Sequence, residues 1–109
     1  MFHMLTCFDL KPECSVVDFQ QSLDAFTEHL RVQDLVEDCS PIGFRQSDTI
    51  LDTDEERDHK YFMLMNFRDR AQSDRAVRYI ETFEEPGDSI HKDVYSKVHK
   101  PVFICWQDI

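Results

Sequence analysis

Five histidines (His3, His29, His59, His91 and His99) and four cysteines (Cys7, Cys14, Cys39 and Cys105) are the residues of this 109-residue chain best suited to metal binding or acid–base work. None stand at CxxC, HxH or HExxH spacing, so neither a metal site nor a cofactor is expected. The run Asp52-x-Asp54-x-Glu56-x-Asp58 copies the start of a calcium loop. Arg57 sits where such a loop needs glycine and Met63 where it needs its bidentate glutamate. The stretch Asp48 to Asp58 reads instead as a solvated acidic hairpin loop. No Gly-x-Ser-x-Gly elbow supports nucleophilic catalysis, and Cys7 and Cys105 lie in apolar segments where a thiol is usually inert. His3 is the candidate general base, because an ordinary imidazole titrates near neutral pH.

Composition narrows the partners. Acidic residues outnumber basic ones 22 to 12, a net charge of −10 that repels phosphate backbones, so nucleic acid is not expected. Six acids against Arg57 put −5 of this in Asp48 to Asp58. With only Gly43 and Gly87, neither a Walker loop nor a GxGxxG fingerprint can be written. No apolar run approaches the roughly 18 residues of a membrane span. The apolar start ends at Asp9 and Lys11, too soon for an export signal, which predicts reduced thiols and a cytoplasmic location.

The elements that must position these residues form one domain over 1–109. Phe2 to Leu10 is strand-like. Ser15, with Asp18 three residues on, caps a helix whose Val16, Phe19, Leu23, Phe26 and Leu30 share one face. Val36 to Ser47, interrupted by Pro41, reads as an edge or bulged strand. Tyr61 to Phe67 is the clearest strand and is apolar on both faces, so both must be covered. Its Tyr61, Met63 and Met65 share one face, an adaptable surface for a ligand or a dimer seam. Ser73 or Asp74 caps a second helix carrying Ala76, Val77, Ile80 and Phe83, which stops near Pro86-Gly87. A short third helix follows from about Ser89, with Ile90, Val94 and Val98 on one face. Pro101 ends it, and Val102 to Trp106 is a last strand, again apolar on both faces.

The order β-α-β-β-α-(α)-β is that of an α+β, ferredoxin-like subunit with an antiparallel sheet and helices on one face. Together with His3-Met4-Leu5 opening strand one, the Pro-containing break after helix two and Asp93-Val94-Tyr95 before the last strand, it resembles the dimeric α/β-barrel superfamily, most of all its stress-responsive A/B-barrel branch. The resemblance runs from His3 to Asp108. It implies a homodimer closed through the sheet face into a dimeric α/β barrel, and a small-molecule pocket between sheet and helices. His3 matches the strand-one histidine of polyketide-cyclase relatives. Asp88 stands where those relatives carry a second histidine, with His91 three residues later as an exposed helix-start residue, and His99 falls on a bulky pocket aromatic. Haem-degrading relatives use a strand-one asparagine and a helical tryptophan, and this chain has neither.

The expected function is therefore binding of a small apolar or aromatic ligand, with Leu5, Leu23, Phe26, Met63, Val94 and His99 lining the pocket. The alternative is a cofactor-free enzyme, cyclase-, isomerase- or monooxygenase-like, acting on an activated aromatic or polyketide-like substrate with His3 as base. Fold alone does not choose between them.

Overall fold

The computed structural model describes all residues, 1–109, as β1 (Phe2–Leu10), α1 (Val16–Val32), β2 (Asp38–Cys39), β3 (Gly43–Phe44), β4 (Tyr61–Phe67), α2 (Arg70–Glu81), α3 (Gly87–Tyr95) and β5 (Val98–Gln107). Every strand pairing is antiparallel. The sheet runs β2-β4-β1-β5, with β3 also on β4. Both long strands that look two-sided in sequence lie here: β4 flanks the central β1 on one side, and β5 flanks it as the opposite edge.

Each helix start has a local cause. Ser15 caps α1 as expected, its hydroxyl accepting from Asp18 N at 3.1 Å. Phe19, Leu23, Phe26 and Leu30 are buried, but Val16 stays 41% exposed at the helix mouth. Helix α2 begins earlier than Ser73. Asp69 caps it by accepting from Gln72 N at 2.8 Å, while Gln72 Oε1 accepts from Arg68 N at 2.7 Å. This is an acid-x-x-Gln variant of the capping box. Phe83, read as part of the α2 face, lies beyond its end and is 70% exposed.

Helix α3 ends at Tyr95, so the segment from Val98 to Pro101 is strand and not helix. Pro101 is accommodated because β5 is an edge strand and the register slips there. Cys7 pairs with Val102 and Asp9 with His99, leaving one extra residue on β5, and Lys100 takes the left-handed conformation at φ 52°. At the other edge Pro41 splits the expected strand into the two-residue β2 and β3.

The core lies between the sheet and the helices, around Phe8, Phe19, Leu23, Met65 and Phe67. Strand parity sorts the sheet's two faces. Met4, Thr6 and Phe8 of β1 lie beside Met65, Met63 and Tyr61 of β4 under the helices. His3, Leu5 and Cys7 lie beside Asn66, Leu64 and Phe62, and beside Trp106, Ile104 and Val102, on the helix-free face. No helix is long and apolar enough to cross a membrane.

Candidate functional site

Between the sheet and the three helices lies a cavity of about 500 Å³, a size that suits a small organic ligand. Its floor is Met4, Thr6 and Phe8 of β1 with Met63, Met65 and Phe67 of β4. Phe19, Leu23, Phe26 and Leu30 of α1 form one wall, and Ala76, Val77 and Ile80 of α2 another. His91, Val94 and Tyr95 of α3 close the third side. The rim is open: Val77, Tyr95 and Phe103 are 53%, 51% and 58% exposed.

Two contacts set α3 over the cavity. Ser22 Oγ donates to Asp93 Oδ2 at 2.6 Å, tying α1 to α3. The Lys97 ammonium at 2.6 Å, and then this Ser22 bond, hold the Asp93 carboxyl below its usual range. At the start of α3, Gly87 is buried against Tyr79, where an added Cβ would stand 2.5 Å from the Tyr79 hydroxyl. That hydroxyl is itself held by His29 Nε2 at 2.6 Å and Gln33 Nε2 at 3.2 Å.

Polar groups inside are few. Thr6 is the one polar residue of the floor, 6% exposed, and its hydroxyl has no hydrogen-bond partner in the protein. His91 stacks on Phe26 with ring centroids 5.3 Å apart and meets the edge of Tyr95 at 5.0 Å. Burial pushes its pKa below the ordinary 6.5, against the opposing pull of Asp88. No hydrogen bond within the protein occupies either ring nitrogen, so the neutral imidazole keeps a free lone pair and a free N–H. The spacing His91, Val94, Tyr95 marks one helical face and would have identified this histidine from the sequence.

Of the residues expected in the pocket, Leu23, Phe26, Met63 and Val94 are brought together in these walls. The other two are not. Leu5 is half-buried on the helix-free face, because its parity is opposite to that of Met4 and Thr6. His99 is exposed on β5, paired with Asp9, because α3 has already ended.

His3 also lies on the helix-free face, stacked on Trp106 at 5.1 Å. A hydrogen-bonded chain crosses the sheet there. Asn66 Nδ2 donates to Asp38 Oδ1 at 2.6 Å, and Asn66 Oδ1 accepts from His3 Nδ1 at 2.6 Å. His3 Nε2 donates to Asp108 Oδ1 at 2.8 Å. Both nitrogens face acceptors, which raises the His3 pKa and favours the imidazolium. A fully donated imidazolium has no lone pair with which to act as a base, so the role expected of His3 is not supported by its surroundings.

The acidic segment is more ordered than a solvated hairpin. Arg45, its side chain 12% exposed, pairs with both Asp52 oxygens at 2.8 Å and donates to the carbonyls of Asp54 and Arg57. This guanidinium holds the Asp52 carboxyl well below its usual range. Groups able to cluster around a metal ion are absent throughout the chain, and all four thiols are free.

Comparison with known proteins places this geometry. A family model described as "Family of unknown function (DUF6614)" matches residues 1–108. The chain belongs to this DUF6614 family. No curated protein matches it. Among solved structures, a protein from Arabidopsis thaliana superposes with a TM-score of 0.74 at 7% identity, covering 100% of this chain and 96% of its own. A dimeric ferredoxin-like protein of unknown function from Jannaschia sp. CCS1 gives a TM-score of 0.64 at 12% identity, over 98% of both chains. A dabb family protein with a ferredoxin-like fold from Mesorhizobium loti gives 0.58 at 17% identity, covering 99% of this chain and 96% of its own. The α+β, ferredoxin-like fold read from the order of elements is thus that of this DUF6614 chain, as it is of these neighbours described as ferredoxin-like.

Proposed function

We propose that the protein is a homodimer that binds a small, mainly apolar or aromatic molecule between its sheet and helices. The observation that carries the ligand is the cavity itself, lined mainly by apolar side chains and furnished with the unengaged, neutral His91 imidazole. That ring suits a ligand with one hydrogen-bonding function on an otherwise apolar frame. The homodimer is supported by the helix-free face, where Leu5, Phe62, Leu64, Val102, Ile104 and Trp106 form an apolar surface with no helix of this chain above it. Neighbours of the same fold are described as dimeric.

Titration with the neutral dye N-phenyl-1-naphthylamine tests the cavity. The fluorescence should rise and saturate at one dye per chain. It should be lost when Val94→Trp or Ala76→Phe fills the space in a chain whose circular dichroism is unchanged. Enhancement that survives both fillings, or none in the natural chain, removes the ligand reading. Sedimentation at micromolar concentration should give twice 13.0 kDa, and Leu64→Asp should give the single-chain mass. A natural chain sedimenting as a monomer removes the dimer reading.

A further inference from the structure

The segment joining β3 to β4 ends in two adjacent aliphatic residues, Ile50 and Leu51, that are 94% and 88% exposed. They are not on a slack loop. Thr49 accepts from Asp52 N at 3.1 Å through its carbonyl and from Leu51 N at 3.3 Å through its hydroxyl, forming a tight turn with the pair at its apex. Arg45 clamps the base of that turn through Asp52 and the carbonyls of Asp54 and Arg57. A rigid apolar tip loses little entropy on docking, which is how an interface anchor is built.

The arm starts from the helix-free face. Cys7 is 2% exposed on a face that no helix covers, while its cross-strand neighbours Phe62 and Val102 are only half-buried. Burial pushes the Cys7 thiol up, and after it the charges of Arg57, Asp54 and Arg45 at the base of the arm act on it. The rest of the face is open, most of all at Ile104 and Trp106, 40% and 43% exposed.

We propose that this loop is an arm that grips a second copy of the chain, with Ile50 and Leu51 seated on the Ile104–Trp106 end of the copy's helix-free face. The inference rests on the dimer reading above. Three observations favour this occupant and this end. The arm is continuous with the face that the second copy would cover. The receiving end carries the two most exposed large apolar side chains of that face. Charge then selects the geometry. Asp48 to Asp58 carries −5, so two arms meeting at the same end would repel. A two-fold axis running across the strands sends them to opposite ends. There His3 and the Met1 amino group stand against Asp108, with Asp38 held by Asn66. Cys7 and His3 stand four positions apart on β1, roughly 13 Å of strand.

The test places the photo-crosslinker p-benzoylphenylalanine at position 51. Irradiation should give a covalent dimer whose joined peptide contains residues 102–107. Crosslinks confined to the arm's own chain, or a dimer joined through the helices, overturn the inference. In parallel, Ile50→Ser/Leu51→Ser should weaken the dimer at least tenfold in sedimentation, while Val17→Ser, at an exposed position of α1 outside the cavity, leaves it unchanged. If Ile104→Asp breaks the dimer and the arm variant does not, the arm fails and the dimer stands. A natural chain that is monomeric overturns both.

Discussion

Replacing Thr6 by valine should stabilise the protein. Thr6 is 6% exposed, and its hydroxyl is buried without a partner. Such a group loses its water on folding and regains no hydrogen bond, at a cost of about 1–3 kcal/mol. Valine keeps the β-branch and the strand preference, and the methyl that replaces the hydroxyl adds about 0.8 kcal/mol of burial. Cavity water can soften the penalty, so the net gain should be about 1–2 kcal/mol, or roughly 4–8 °C in Tm per kcal/mol for a domain near this size. Urea unfolding at one fixed protomer concentration measures it, with the slope m unchanged. Thr6→Ser, which keeps the hydroxyl and loses the methyl, should be destabilised. A Thr6→Val chain that loses 1 kcal/mol or more would refute the reasoning, because its hydroxyl must then have a partner.

Gly87→Ala drives a Cβ into the held Tyr79 ring and should cost about 1–3 kcal/mol. In a Tyr79→Ala background the same change should be close to neutral, and an equal cost in both backgrounds would count against the contact. Phe19→Ala, at 1% exposure in the core, should cost about 3–5 kcal/mol by denaturant unfolding. The two histidines should shift stability in opposite directions. His3, raised above 6.5, contributes stability fully present below pH 6.5 and lost as pH rises through its folded value, so His3→Gln should flatten the alkaline decline. His91, lowered from 6.5, penalises the fold as pH falls below 6.5, so His91→Phe should flatten the decline in that window. Two-dimensional NMR titration of the rings checks both directions, and a His91 value above that of His3 would reverse the assignment of their environments.

Much of this fold is written in local signals. Ser15 with Asp18, the three-four spacing of Phe19, Leu23, Phe26 and Leu30, and the two-sided strands Tyr61–Phe67 and Val102–Trp106 all lie where their chemistry demands. Competition between signals hid the rest. Asp69 and Gln72 cap α2 as a pair, but Ser73 and Asp74 offer plausible caps four and five residues on. The spacing of Val94 and Val98 continues a helical period that the turn at Ser96 and Lys97 breaks, their amides bonding back to Lys92 and Val94. The cavity walls were legible where only one face was possible, as on α1. They were not legible on β1, where Leu5 and Thr6 face opposite ways and each side of the strand is apolar.

That parity also separates two imidazoles that composition treats alike. His3 opens strand one, as a candidate base would, yet Asn66 and Asp108 take both its protons as hydrogen-bond donations and stabilise the charged ring. Those bonds join Asp38 of β2, Asn66 of β4 and His3 of β1 to Asp108, just beyond β5. His91 has no partner to satisfy, lies against Phe26 and Tyr95, and stays neutral because burial disfavours its charge. Recognition of a ligand needs a group whose hydrogen-bonding capacity survives folding, and of these two histidines only His91 keeps it inside the cavity. The two faces therefore divide the work. The helix-free side engages His3 across the sheet, and the helical side leaves His91 unengaged at the wall of the cavity.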